Sequence, residues 1–219
     1  MAVEIRRGSA RFMLKVPGRA TWHSLSFGEH YDPERLAIGT MVCHDEHLLA
    51  DGQGFDEHAH DGIDIVTYVV SGALAHEDSL GNSGVLGAGH LGVLRAAGGV
   101  RHSEVAAAPQ TRFVQAWLRE PPGYDDDPVW TRVDGDTVRL PGGSLDVVRL
   151  EAGEATALPS GGLVHLFVAS GALLRNSLAE PLAAGDALIL TDEPAREVRA
   201  AVATVLMVWT VAGVRPPAP

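Results

Sequence analysis

His58 and His60 stand two positions apart in "GQGFDEHAHDGID", and His102 and Glu104 stand two apart in "GGVRHSEV". Side chains alternate faces along a β-strand, so each pair projects from one side. If the two segments lie on neighbouring or facing strands, three imidazoles and one carboxylate converge. That donor set suits Fe(II), Mn, Ni, Cu or Zn, and a six-coordinate ion would keep two positions open for substrate and dioxygen. The plain alternative is a solvated acidic turn, because Asp56, Glu57, Asp61 and Asp64 flank the first pair and such residues mostly sit outside. The glycines weigh against it. Gly52 and Gly54 precede His58, Gly72 follows the ligand strand, and Gly98-Gly99 lead into His102, as tight corners require.

The elements that must position these groups are strands. Gly (25) and Pro (13) punctuate the whole chain, and between them lie short Val/Ile/Leu/Thr-rich segments rather than long helical periods. The spacing predicts strands over Ile63 to Val70 and Ala73 to Glu77, closed as a hairpin by Ser71-Gly72. "GHLGVLRAAG", "VRHSEVAA" and "RFVQAWLRE" continue the series, enough for one packed β-barrel by about Glu120. "EPPGYDDDPVW", Glu120 to Trp130, has the Pro/Gly/Asp composition of a linker. Beyond it the pattern repeats: "YVVSGAL" from Tyr68 is echoed by "FVASGALL" from Phe167, and "VLGAGHLGVL" by "PLAAGDALIL". Self-similarity of this kind marks a repeated unit. The expected architecture is all-β, two tandem barrels, with residues 1–125 forming the metal-binding one and 126–219 a degenerate one without metal.

Composition narrows the function classes. A 46 % hydrophobic and 21 % charged chain of 219 residues has the material for a real core. A formal charge of −11 with no Lys/Arg cluster argues against direct nucleic-acid binding, which depends on neutralising phosphates. One cysteine, Cys43, excludes an internal disulfide and a Cys-rich zinc motif. The N-terminal "MAVEIRRGSARF" lacks a signal-peptide pattern, and the apolar run from Ala200 to Val214 is shorter than the ~20 residues of a membrane span, so the expectation is a cytoplasmic protein with no membrane segment.

Taken together, "HAHDGIDIVTYVVSGALAHEDSLGN" from His58 and "AAGGVRHSE" from Ala96 resemble the pirin family, whose hairpin carries "HxHxGxE" and "TYVLxGxxxHxDSxGN" and whose later strand carries "AGxGxxHSE". "HSLSFGEHYDPERLAIG" and "FVQAWL" resemble two further family segments. The likeness is close over the first half of the chain and looser beyond. It implies a bicupin, two tandem jelly-roll-like cupin barrels, with His58, His60, His102 and Glu104 on the family's metal ligands. The implied ion is one divalent metal, Fe(II) foremost, with Mn, Ni, Cu, Co and Zn as alternatives. Two departures stand out: the family's Glu after the His pair is here Asp64, and the Asp of its "PGD" turn is here His90, read as a surface replacement.

Asp64 shares parity with His58 and His60, which leaves two readings open: a base beside the metal site, or a turn-stabilising acid. His76 leads into turn residues and is expected at the rim. Cys43 and His44 would face opposite ways, so the Cys43, His44, His47 cluster argues against joint binding. His23 and His30 are candidates only for the barrel mouth, and lone His165 for core packing. The resemblance implies a quercetin 2,3-dioxygenase-like enzyme taking a flavonol or another enolisable aromatic and O2, with Asp64 or Glu104 accepting the substrate proton. Its rival is a non-catalytic, iron-binding, redox-responsive regulator that acts through a protein partner, either a transcription factor or a metabolic enzyme.

Overall fold

The computed structural model describes residues 1–124, 126–175 and 180–213. The chain divides into two compact units, one of Phe12–Ala37 and Met41–Gly135, the other of Met1–Arg11, Ile38–Thr40 and Asp136–Pro219. The first strand, β1 (Ala2–Arg6), belongs to the second of these. The unit carrying the His pairs contains β2 (Phe12–Val16), β3 (Arg19–His23), β4 (Met41–Leu49), β5 (Gly54–His60), β6 (Ile63–Ser71), β7 (Ala73–Asp78), β8 (Ser83–Gly87), β9 (Leu91–Arg95), β10 (Val100–Ala106), β11 (Thr111–Arg119) and β12 (Val129–Val133). They form a seven-stranded sheet in the order β12-β9-β6-β11-β4-β3-β2 and a four-stranded sheet, β5-β10-β7-β8, each open at both ends.

Alternation explains how the sheets meet. Leu49, Val69 and Phe113 project from the larger sheet onto Leu74, Leu86 and Ala106 of the smaller one, all but dry. Ile65, Leu94, Ala96 and Val100 form a second apolar cluster against Trp117 and Trp130. The expected hairpin at Ser71-Gly72 is not one. β6 pairs with β9 and β11, whereas β7 pairs with β8 and β10. The chain crosses from one sheet to the other at Gly72, whose φ of 77° suits glycine and whose Cβ would stand 2.5 Å from the Thr111 hydroxyl. That hydroxyl bonds both the N–H and the C=O of Ala73, pinning the corner.

The other unit repeats this device. Its strands are β13 (Thr137–Leu140), β14 (Gly143–Leu150), β15 (Ala155–Leu158), β16 (Leu163–Ser170), β17 (Ala172–Leu173), β18 (Leu182–Ala183), β19 (Ala187–Thr191), β20 (Arg196–Arg199) and β21 (Thr204–Val211). β1 pairs with β19 at the edge of a six-stranded sheet ordered β1-β19-β16-β21-β14-β13, so residues from the two chain ends share one sheet. Gly171 (φ 82°) turns the chain after β16, and Thr204 Oγ1 bonds the N–H and C=O of Ala172 just as Thr111 bonds Ala73. The echo between "YVVSGAL" and "FVASGALL" is thus the same corner built twice. Leu166, Leu188 and Leu206 centre this unit's core. Among the described residues no helix is long and apolar enough to cross a membrane.

His165 is 1 % exposed on the face of β16 opposite to Val164 and Leu166, and burial, helped by Arg6, lowers its pKa from 6.5 to about 3. The folded chain therefore refuses a proton that the unfolded chain accepts below pH 6.5. The neutral ring's contribution is complete above that pH and is lost as pH falls towards the folded value, at up to about 1.4 kcal/mol per pH unit. Urea unfolding of the wild type and His165→Leu across that range is expected to show a shallower acid-side loss in the variant. Identical slopes would remove His165 as the cause.

Candidate metal centre

β5 and β10 run antiparallel with His58 opposite His102 and His60 opposite Val100. Directly opposed residues share a face, so His58, His60 and His102 rise from the same side of the sheet. The register then slips: Glu104 lies opposite Phe55, which leaves Asp56 and Glu57 of β5 facing Ser103 alone. This β-bulge changes which side chains face inward, putting Phe55 beside the histidines. It also frees the Asp56 carbonyl to accept a 2.7 Å hydrogen bond from His58 Nδ1. Close strand approach is needed here, because a Cβ on Gly54 would stand 2.0 Å from the Glu104 carbonyl oxygen.

The three rings lie 4.5–5.1 Å apart between centroids, and one nitrogen from each falls within 4.8 Å of the others. With Nδ1 of His58 donating to a carbonyl, its Nε2 carries the lone pair. The Nε2 atoms of His60 and His102 are buried and make no hydrogen bond. Burial, reinforced by His58, lowers the His60 pKa to about 4; burial, with His58, His60 and His76 adding to it, lowers that of His102 to about 3. His60 and His102 are thus kept available as neutral donors, the form a metal ion requires. Two orphaned, converging nitrogens are a cost that a bound cation would remove. The donor set fits a divalent ion of the imidazole-preferring kind.

Glu104 forms a second group with His76 and His102, ligand atoms within 4.8 Å of one another, and is 5 % exposed; burial raises its carboxyl to about 7 against the opposing hydrogen bonds of Gln115 and Thr67. Gln115 Nε2 donates to Glu104 Oε2 (2.8 Å) and to Thr67 (3.1 Å), while Gln115 Oε1 accepts from Trp117 Nε1 (2.9 Å). His58 and Glu104 open onto a cavity of about 530 Å³ whose walls include Phe27, Phe55 and Trp117, with His23, Asp45 and His47 among its polar lining. Aromatic walls interleaved with fixed polar groups describe a site for a small molecule.

Other sequence expectations fare differently. Asp64 is fully buried in β6 but does not line the cavity; it faces Arg95, whose Nε is 3.5 Å from Oδ1. The parity argument does not carry over because Gly62 (φ 62°) turns the chain between His60 and Asp64 and resets the alternation. Burial first, then Glu120, raises the Asp64 carboxyl to about 6, with Arg95 opposing. His76 is not at a rim. It is 3 % exposed, stacked on Trp130 at 4.6 Å, and lies between Asp78 (3.3 Å) and His102 Nδ1 (3.5 Å), where it backs the metal-facing ring. Trp130, at the end of the linker expected from the sequence, is the second residue of β12, which pairs with β9. His23 and His30 do line the cavity. Gln115 and Phe55 were missed; inward alternation from Trp117, and the bulge, are what bring them in.

A family model described as Pirin matches residues 6–118. A Mycobacterium bovis protein provisionally named a quercetin 2,3-dioxygenase is 34 % identical over 230 residues, covering 94 % of each chain. The Escherichia coli K12 protein named quercetin 2,3-dioxygenase is 33 % identical over 100 residues, 45 % of this chain and 43 % of that one. Among solved structures, the bacterial pirin YhhW of Escherichia coli in complex with nickel(II) superposes with a TM-score of 0.87 at 22 % identity, over 97 % of this chain and 100 % of that one. These likenesses carry the all-β bicupin fold over to this chain.

Nickel(II) at a hundredfold excess over its dissociation constant is expected to stabilise the folded protein by about 2.7 kcal/mol, read as a rise in melting temperature. The His102→Ala/Glu104→Ala double variant is expected to show no rise. An equal rise in both would contradict this donor set.

Proposed function

The chain belongs to the pirin family, and on that premise we propose that it is a metal-dependent dioxygenase, with Fe(II) as its resident ion, that opens a flavonol such as quercetin or a similar enolisable aromatic. The observation that carries this reading is the grouping of three imidazoles, one of which, His102, also groups with the buried Glu104 carboxyl, beside an aromatic-walled cavity. His58, His60 and His102 hold the ion through nitrogen and Glu104 supplies the oxygen donor. A metal bound there supplies Lewis-acid charge that favours the ionised form of the substrate's 3-hydroxyl.

The rest follows from the chain itself. Phe55 and Trp117 confine the planar rings, fixing the 3-hydroxyl beside the imidazoles. Glu104 takes the hydroxyl proton: the substrate O–H bond breaks, a carboxyl O–H forms, and the electron pair stays on the substrate oxygen. Gln115 holds the carboxylate at the angle this needs. The electron-rich ring then reacts with dioxygen, yielding the ring-opened ester and carbon monoxide. Asp64, paired with Arg95 inside the sheet, is assigned a packing role rather than that of the base.

With Fe, Mn, Ni, Cu or Co loaded in turn, the flavonol absorption band is expected to decay under air in the wild type. His58→Ala and Glu104→Gln are expected to slow it at least about 100-fold, while Asp64→Asn turns over near the wild-type rate. A band that persists with every metal sinks the dioxygenase reading. Loss of turnover in Asp64→Asn would return the base to that residue.

A further inference from the structure

One buried pair in the cavity has no part in the chemistry above. His23, at the end of β3, lies opposite Asp45 of β4, and its Nδ1 is 2.7 Å from Asp45 Oδ2. A carboxylate only accepts, so Nδ1 carries a proton, and in that tautomer Nε2 is the acceptor. Both side chains line the cavity. His23 is 4 % exposed overall, yet its Nε2 makes no hydrogen bond among the described residues and is not among the sealed, unsatisfied nitrogens. The ring is fixed in place by stacking on Phe27 (5.3 Å, 10°) and by Asp45. A histidine held by its partner and stacked on a neighbour, with its free nitrogen turned to an open cavity, is built to receive a donor.

The register gives the distance. Asp45 lies opposite Gln115 as well as His23, and Gln115 lies opposite Thr67. His23, Asp45, Gln115 and Thr67 therefore form one cross-strand row on the inner face of the seven-stranded sheet. Two strand spacings separate His23 from Gln115, about 10 Å, and Gln115 is the residue that holds Glu104. That is the span of a fused bicyclic aromatic bearing a further ring.

We propose that the His23–Asp45 pair is a hydroxyl-recognition site, at which His23 Nε2 accepts a hydrogen bond from a phenolic hydroxyl on the substrate ring remote from the reacting one. It rests on the flavonol reading and deepens it: His23 is the residue that ranks flavonols by the hydroxyls they carry away from the reacting ring. A site that leaves a fixed acceptor unpaired discriminates against the analogue lacking the hydroxyl.

The test compares two ligands by quenching of tryptophan emission in metal-loaded protein with dioxygen excluded, so that neither can turn over: the parent flavonol, which has no distal hydroxyl, and its derivative with a catechol pendant ring. The wild type is expected to favour the catechol derivative roughly tenfold. His23→Phe keeps the stack on Phe27 and is expected to bring the ratio to near one, while His23→Gln, which returns a polar atom near Nε2, restores part of it. Where His23→Phe shows no cooperative melt, Asp45→Asn decides, and a fall in the same ratio is expected. An unchanged ratio in the folded variant overturns the proposal while leaving the flavonol reading intact. If neither ligand binds the wild type, the flavonol reading fails and this inference falls with it.

Discussion

The pairing of β5 with β10 is the constraint on which the site depends. One register, His58 opposite His102, puts three imidazoles on a single face, and a slip by one residue would send them to the other side of the sheet. The bulge beside it does three things at once. It turns Phe55 inward, aligns Glu104 with the cavity, and exposes the carbonyl that fixes the His58 tautomer. Gly54 permits the approach because any side chain there would collide with the Glu104 backbone.

Around this register the polar groups are organised in relays rather than left as isolated charges. Asp78 holds His76, His76 lies against His102, and Trp130 covers the stack. Trp117 donates to Gln115, which donates to Glu104. Each relay satisfies buried polar atoms that would otherwise cost about 1–3 kcal/mol apiece. Among the buried atoms left without a hydrogen bond are the Nε2 atoms of His60 and His102, which belong to one group of three imidazoles. Their isolation is the physical argument for a cation.

Much of this was legible in the sequence where the period of two holds without interruption. His58 with His60, and His102 with Glu104, lie within single strands, so spacing alone put each pair on one face. The repeat was legible because "YVVSGAL" is echoed by "FVASGALL", although not the corner that each copy builds. Asp64 was not, because a turn at Gly62 breaks the count. Nor was the sheet crossing at Gly72, since a tight turn between two strands looks the same whether they pair or part. The burial of His76 depends on Trp130, more than fifty residues along the chain, and local pattern carries no trace of such a contact. The cross-strand row from His23 to Thr67 needs the registers of four strands, which only the fold supplies.

The central claim is that His58, His60, His102 and Glu104 together hold one metal ion. X-ray absorption at the edge of the bound metal tests it most directly. Three imidazole nitrogens at about 2.0–2.1 Å, together with oxygen, are the predicted first coordination sphere, with one imidazole lost in His102→Ala. A spectrum fitted by fewer than three imidazoles, or one unchanged in that variant, would contradict the account.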